Sequence, residues 1–169
     1  MKLESKEFYK FKQDLEEFIK NWDKLVILGI GNPLRGDDFS GSLVARRLNQ
    51  TLDEEKIIVI DGETVPENFT GQIKKENPSH IILFDAADMK KPPGHIKLIK
   101  KDEIAQYNIS THAMPLSFLI NYLEHTTDTR IILIGIQPKG MEFEEKVSHE
   151  VYQSISLLIA LLHEILERT

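Results

Sequence analysis

The chain predicts a single α/β domain: a three-layer sandwich in which a twisted, mostly parallel five-stranded sheet carries helices on both faces. Three observations point there. Apolar, β-branched runs recur at 25–30, 57–60, 80–84 and 131–136, the composition of strands buried on both sides. Segments with apolar residues every three or four positions separate most of them, the order of a parallel sheet with crossover helices. And 169 residues suffice for one sizeable core but are short for two.

Taken in order, Phe8, Phe11, Leu15, Phe18 and Trp22 recur at steps of three and four within 5–22, an amphipathic helix that Ser5 can cap. Such stripes ordinarily face a core, so the helix is expected to fold onto its own domain; the alternative is a docking helix for a partner. It divides the chain into an N-terminal amphipathic helix extension, 1–23, and the domain proper, 24–169. The first strand, 25–30, breaks into Gly31-Asn32-Pro33-Leu34-Arg35-Gly36-Asp37-Asp38, and a helix is expected over 38–49. Strand 57–60 ends at Asp61-Gly62, and a helical segment over 67–76 is stopped by Asn77-Pro78. Strand 80–84 ends at Asp85. A turn, Lys91-Pro92-Pro93-Gly94, leads into 96–99, whose alternation suits an edge strand. Ser110-Thr111 precede a helix carrying Leu116, Leu119, Ile120 and Leu123. Strand 131–136 ends at Gln137-Pro138-Lys139-Gly140, and a last helix, 145–167, holds Val147, Val151, Ile155, Leu158, Leu162 and Leu166 on one side.

Composition narrows the function. Hydrophobic residues make up 41% and charged residues 28%, ordinary globular values. A net charge of -6 argues against a nucleic-acid surface, which needs basic clusters to neutralise phosphates. Cysteine is absent, which removes disulfides, a thiol nucleophile and thiolate ligands, leaving Asp, Glu and His for any metal. The N-terminus is charged from Lys2 and lacks an apolar signal core, and stretches such as 155–162 are too short to span a bilayer. No membrane insertion is expected, and a cytoplasmic location is.

In an open α/β sheet ligands bind beyond the carboxyl ends of the strands. Parallel strands would deliver 32–38, Asp61 and Asp85 to one edge, with Ser110-Thr111-His112 arriving just before a helix. Two carboxylates and an imidazole converging there make a compact site for a first-row divalent ion with open positions. Each residue also has a plainer role. Asp is a preferred N-cap, so one of Asp37 and Asp38 is expected to cap the following helix. Asp61, before Gly62, reads as a turn residue rather than a ligand. Asp85 closes an apolar strand, an expensive place for a charge without a partner, which favours function. His112 near a helix N-terminus stays neutral, as a ligand must, but equally suits a hydrogen-bonded structural histidine. Histidines 80, 95, 125, 149 and 163 fall at strand edges or helix surfaces without a pattern. Neither a dinucleotide fingerprint, a Walker sequence nor a Gly-x-Ser-x-Gly elbow is present.

These residues resemble the maturation endopeptidases of nickel–iron hydrogenases. The matching blocks are Gly29-Ile30-Gly31-Asn32 with Gly36-Asp37-Asp38, Asp61-Gly62-Glu63-Thr64-Val65-Pro66-Glu67-Asn68, Phe84-Asp85-Ala86-Ala87-Asp88, Ser110-Thr111-His112-Ala113-Met114-Pro115-Leu116, and Gly135-Ile136-Gln137-Pro138. They run in the right order across about 24–165, and two of them look most like the branch serving formate-hydrogenlyase-type and energy-converting hydrogenases. The resemblance implies removal of a C-terminal extension from the hydrogenase large-subunit precursor after nickel insertion. It implies metal contacts from Asp38, Asp85 and His112, and catalytic roles for Asp38 and Asp85. It further implies that the precursor supplies the nickel and that other divalent metals can substitute in vitro. Glu63 departs from the pattern at a position that is often Gly, and the helix at 5–22 extends beyond the usual start. Two rivals stand beside this reading. A non-catalytic nickel-binding checkpoint protein would keep the same ligands. A peptidyl-tRNA hydrolase-like esterase shares the opening Gly-x-Gly-Asn-Pro but needs a histidine some ten residues on, and none follows here until His80.

Overall fold

The computed structural model of the chain describes residues 5–109 and 114–168. In order they form α1 (Lys6–Phe18), β1 (Leu25–Gly29), α2 (Ser40–Thr51), β2 (Ile57–Asp61), α3 (Thr70–Glu76), β3 (His80–Asp88), β4 (Ile96–Ile99), β5 (Asn108–Ile109), α4 (Leu116–Thr126), β6 (Arg130–Ile136) and α5 (His149–Leu166). Strand order is β2-β1-β3-β6-β4, parallel except for β4, which runs antiparallel to β6 at the edge. This is the mostly parallel five-stranded sheet the residue pattern predicts.

β1 and the central runs of β3 and β6 are apolar because both faces are covered. Leu25, Ile27, Ile82, Phe84, Ile132 and Ile134 pack with α1, α2 and α5; Val26, Leu28, Ile81, Leu83 and Leu133 pack with α3 and α4. β2 lies on one side of β1 and β3 on the other. The chain therefore changes direction between β1 and β3, and the crevice such a switch opens lies at their carboxyl ends.

Several boundaries differ from the residue pattern, each for a long-range reason. β3 does not end at Asp85 but runs to Asp88, because β6 stays paired through Ala86 and β5 adds antiparallel to Ala87 and Asp88. The 3-10 turns at Gly36–Phe39 and Pro66–Phe69 precede α2 and α3, so both helices start later than expected. β5 and the 3-10 turn at Lys101–Gln106 carry no apolar period to reveal them. α5 starts at His149 rather than near 145, because the preceding segment is hydrogen-bonded to the loop after β1.

Helix α1 folds onto the domain. The Ser5 hydroxyl accepts the Phe8 amide at 3.2 Å, and Phe8, Phe11, Leu15 and Phe18 are buried in the same core as α5. Each such side chain contributes about 1.5–3 kcal/mol. Phe18 meets the His80 ring edge-on at 5.3 Å, and Lys12 lies 2.8 Å from Glu164 of α5. Among the described residues no helix is long and apolar enough to cross a membrane.

Candidate active site

Two glycines decide where the acids sit. A methyl group on Gly41 would overlap the carbonyl oxygens of Phe84 and Ile30, so only glycine lets the first turn of α2 rest directly on the ends of β1 and β3. A methyl group on Gly31 would overlap the Asp38 carbonyl, so the loop after β1 closes onto its own far end. The Ile30 amide in turn donates to the Phe84 carbonyl at 2.8 Å. The segment carrying Asp38 and the one carrying Asp85 thus adjoin at the β1/β3 switch.

The adjacent acids Asp37 and Asp38 behave oppositely. Asp37, 1% exposed, is saturated. Its Oδ1 accepts the Ser148 amide at 2.7 Å, and its Oδ2 accepts the Ser148 hydroxyl at 2.9 Å and the amides of Lys139 and Gly140 at 2.7 and 3.3 Å. Asp38, 7% exposed, has an Oδ1 that is buried with no hydrogen-bond partner among the described residues, and the same holds for the Ser40 hydroxyl two residues on. The expectation that one of the pair caps the next helix is corrected: α2 has no side-chain cap. The carboxylate of Asp37 instead serves donors more than a hundred residues away.

Asp85 is fully buried. β1 ends opposite Phe84, so Asp85 is the first residue of β3 beyond its neighbour's reach. Alternation along the strand puts its side chain on the α3–α4 face, between Leu83 and Ala87. Its Oδ1 accepts the Ala86 amide at 2.8 Å. His112, with Ser110 and Thr111, lies outside the described residues; the chain enters that stretch at Ile109, paired with Ala87, and leaves it at Met114. Among the described residues no three carboxylates or imidazoles gather closely enough to hold a metal ion on their own.

Asp61 is the turn residue its neighbour Gly62 suggests, and it is more than that. It accepts the Ser42 hydroxyl at 2.5 Å, the Glu63 amide at 3.2 Å and Arg46 Nε at 2.6 Å. Arg46 also reaches Glu63 at 2.7 Å, so β2 is tied to α2 and steadies the helix that follows Asp38. The Asp61 hydrogen bond raises the Arg46 pKa despite partial burial.

Gln137 was not singled out as a functional residue beyond its block, yet it joins two strand ends. Its Oε1 accepts the Met89 and Lys91 amides at 2.7 and 3.2 Å, while its Nε2 donates to Asp88 Oδ1 and the Pro138 carbonyl, both at 3.2 Å. A polar residue directly after an apolar strand is the signal that could have found it. Hydrogen bonds from Lys90 and Gln137 hold the Asp88 carboxyl down to about 2.

His80 opens β3 as expected but is buried rather than exposed, at 4%. Burial first, and then the Arg130 charge, lower its pKa. Cavities of about 410 and 540 Å³ lie elsewhere, one beside α1 and β4 (Phe11, His95, Leu98) and one by the end of α5 (Leu52, His163, Leu166). Neither is lined by Asp38 or Asp85. Buried acids at a topological switch outweigh cavity size in locating the chemistry.

The profile of the HycI family, hydrogenase maturation proteases, matches residues 42–165. A Methanocaldococcus jannaschii protein that bears the name of a hydrogenase maturation protease is 42% identical over 163 residues, 92% of this chain and 96% of its own. The Escherichia coli hydrogenase 3 maturation protease is 34% identical over 131 residues, 77% of this chain and 83% of its own. Among solved structures, the [NiFe] hydrogenase maturation protease HycI of Thermococcus kodakarensis superposes with a TM-score of 0.83 at 30% identity, over 91% of this chain and 99% of that one.

Proposed function

The chain belongs to the hydrogenase maturation protease family, endopeptidases that process a hydrogenase precursor, and from that premise we propose a specific reaction. It removes the C-terminal extension of a nickel–iron hydrogenase large-subunit precursor once nickel is in place. Nickel enters as part of the substrate, and Asp38, Asp85 and His112 meet it. One observation carries this reading: the buried, unpartnered Oδ1 of Asp38 beside the β1/β3 switch. A carboxylate oxygen left so costs about 1–3 kcal/mol and is retained where a ligand completes it.

The donor set suits the ion. Carboxylate oxygen and imidazole nitrogen both bind first-row divalent metals, and other such ions can replace nickel in vitro. Asp85, steadied by the Ala86 amide, offers the second oxygen. Ile109 pairs with Ala87, two residues beyond Asp85. The substrate's ion supplies an anchor and a Lewis acid.

Asp38 supplies the proton transfers. Its carboxylate takes a proton from water as the water oxygen bonds to the scissile carbonyl carbon, and returns it to the departing amine as the C–N bond breaks. Precursor without nickel offers Asp38 and Asp85 nothing to hold, so it is spared. Incubation with nickel-loaded precursor, followed by mass spectrometry, tests the reading. A released C-terminal peptide is expected with the wild type, and none with Asp38→Ala or without nickel. Wild-type-like cleavage by Asp38→Ala would refute it, and binding without cleavage would favour a checkpoint role.

A further inference from the structure

Five of the eight large apolar side chains exposed among the described residues, Leu34, Val65, Met114, Phe118 and Phe143, lie in loops after strands or at the start of α4. Leu34 and Phe143 stand apart because the segments that carry them are hydrogen-bonded to one another. Leu34 is 58% and Phe143 64% exposed, yet their segments are laced together. The Glu144 amide donates to the Leu34 carbonyl at 2.8 Å, the Gly36 amide to Glu145 at 3.1 Å, and the Asp37 amide to Gly140 at 2.9 Å. Arg35 Nε reaches the Met141 carbonyl at 3.2 Å, and the Asp37 carboxylate clamps Lys139, Gly140 and Ser148 from within. Apolar side chains held out on a rigid support bind with little ordering cost, which is the character of interface anchors.

Their place says what binds. Leu34 and Asp38 share one short loop, and the clamp on the Phe143 segment is the residue next to Asp38. A segment that covers Leu34 therefore lies on the loop that carries Asp38, which favours the precursor chain near the bond to be cut, and a second copy of the chain there would compete with it. The geometry points to Leu34 and Phe143 as a docking lip for an apolar segment of the large-subunit precursor flanking the scissile peptide. This rests on the function proposed above.

The test is kinetics on nickel-loaded precursor with wild type, the double variant Leu34→Asn/Phe143→Asn, and Tyr9→Asn as a control on α1, where Tyr9 is 56% exposed. Thermal melts check that each variant is folded. The double variant is expected to raise KM about tenfold or more, with the change on KM rather than kcat, while Tyr9→Asn stays at the wild-type KM. A KM within twofold of wild type in the folded double variant overturns the lip, as does an equal rise in the control. If the double variant does not fold, the single variants are read instead, each expected to raise KM at least threefold; no rise in either overturns the lip. If the wild type cuts nothing, the proposed reaction fails and the lip is judged on interferometric binding of the same precursor. Binding that the double variant loses upholds the lip; equal binding, or none by wild type, overturns it.

Discussion

Ser148 donates both its amide, at 2.7 Å, and its hydroxyl, at 2.9 Å, to the Asp37 carboxylate across 111 positions of sequence. The hydroxyl that stands ready to cap α5 is given instead to the loop after β1, and α5 has no side-chain cap. Two loops far apart in sequence are thereby one structural unit.

Asp37→Ala is expected to destabilise the protein by about 3 kcal/mol or more, because four donors lose a buried acceptor. Ser148→Ala removes one of those bonds and is expected to cost about 1 kcal/mol. Urea unfolding of the three proteins checks the order.

Asp38→Asn reverses the pattern. Its Oδ1 makes no hydrogen bond among the described residues, so an amide there forfeits no bond at that atom and removes a charge from a buried position. The melting temperature is expected to hold or rise by a few degrees while precursor cleavage falls about 10²–10⁴-fold, the usual worth of a general base. Calorimetry and the cleavage assay, run on one preparation, separate the two acids.

Gly41→Ala places a methyl group against the Phe84 and Ile30 carbonyls. About 2–3 kcal/mol of stability is expected to go, with cleavage falling further because α2 must lift from the edge that holds both acids. Far-UV and near-UV spectra should show the fold retained as activity drops.

The buried His80 makes stability depend on pH below neutrality. Its folded pKa lies below the unfolded value of about 6.5, so the unfolded chain binds the extra proton. Its contribution is full above about 6.5 and is lost as pH falls through the folded value. His95, lowered first by burial although Glu7 opposes it, acts with the same sign. Urea midpoints at pH 7.5 and 5.5 should differ less in His80→Gln than in wild type, and less again when His95→Gln is added.

What could be read from the residues follows the range of the forces. The β1, β2, β3 and β6 runs declare themselves because strands buried on both faces need no partner to be recognised. Asp85 declares itself too, as an acid interrupting such a run. Which of Asp37 and Asp38 is free does not, since the answer lies with Lys139, Gly140 and Ser148. The same contacts shorten α5, and the pairing of Ala87 with Ile109 extends β3. His112 is legible from its block, and its placement lies outside the described residues.

Helix α1 precedes the sheet in sequence, yet its apolar stripe packs into a core shared with a helix more than a hundred positions further on. Its Lys12 meets Glu164 across 152 positions, and its aromatic stripe shares a core with α5. The packing of Phe8, Phe11 and Phe18 with α5 is a long-range closure, of the kind that forms slowly and leaves aromatic surface open to aggregation until it does. The refolding yield should therefore fall as protein concentration rises and recover with a chaperone that shields aromatic helices.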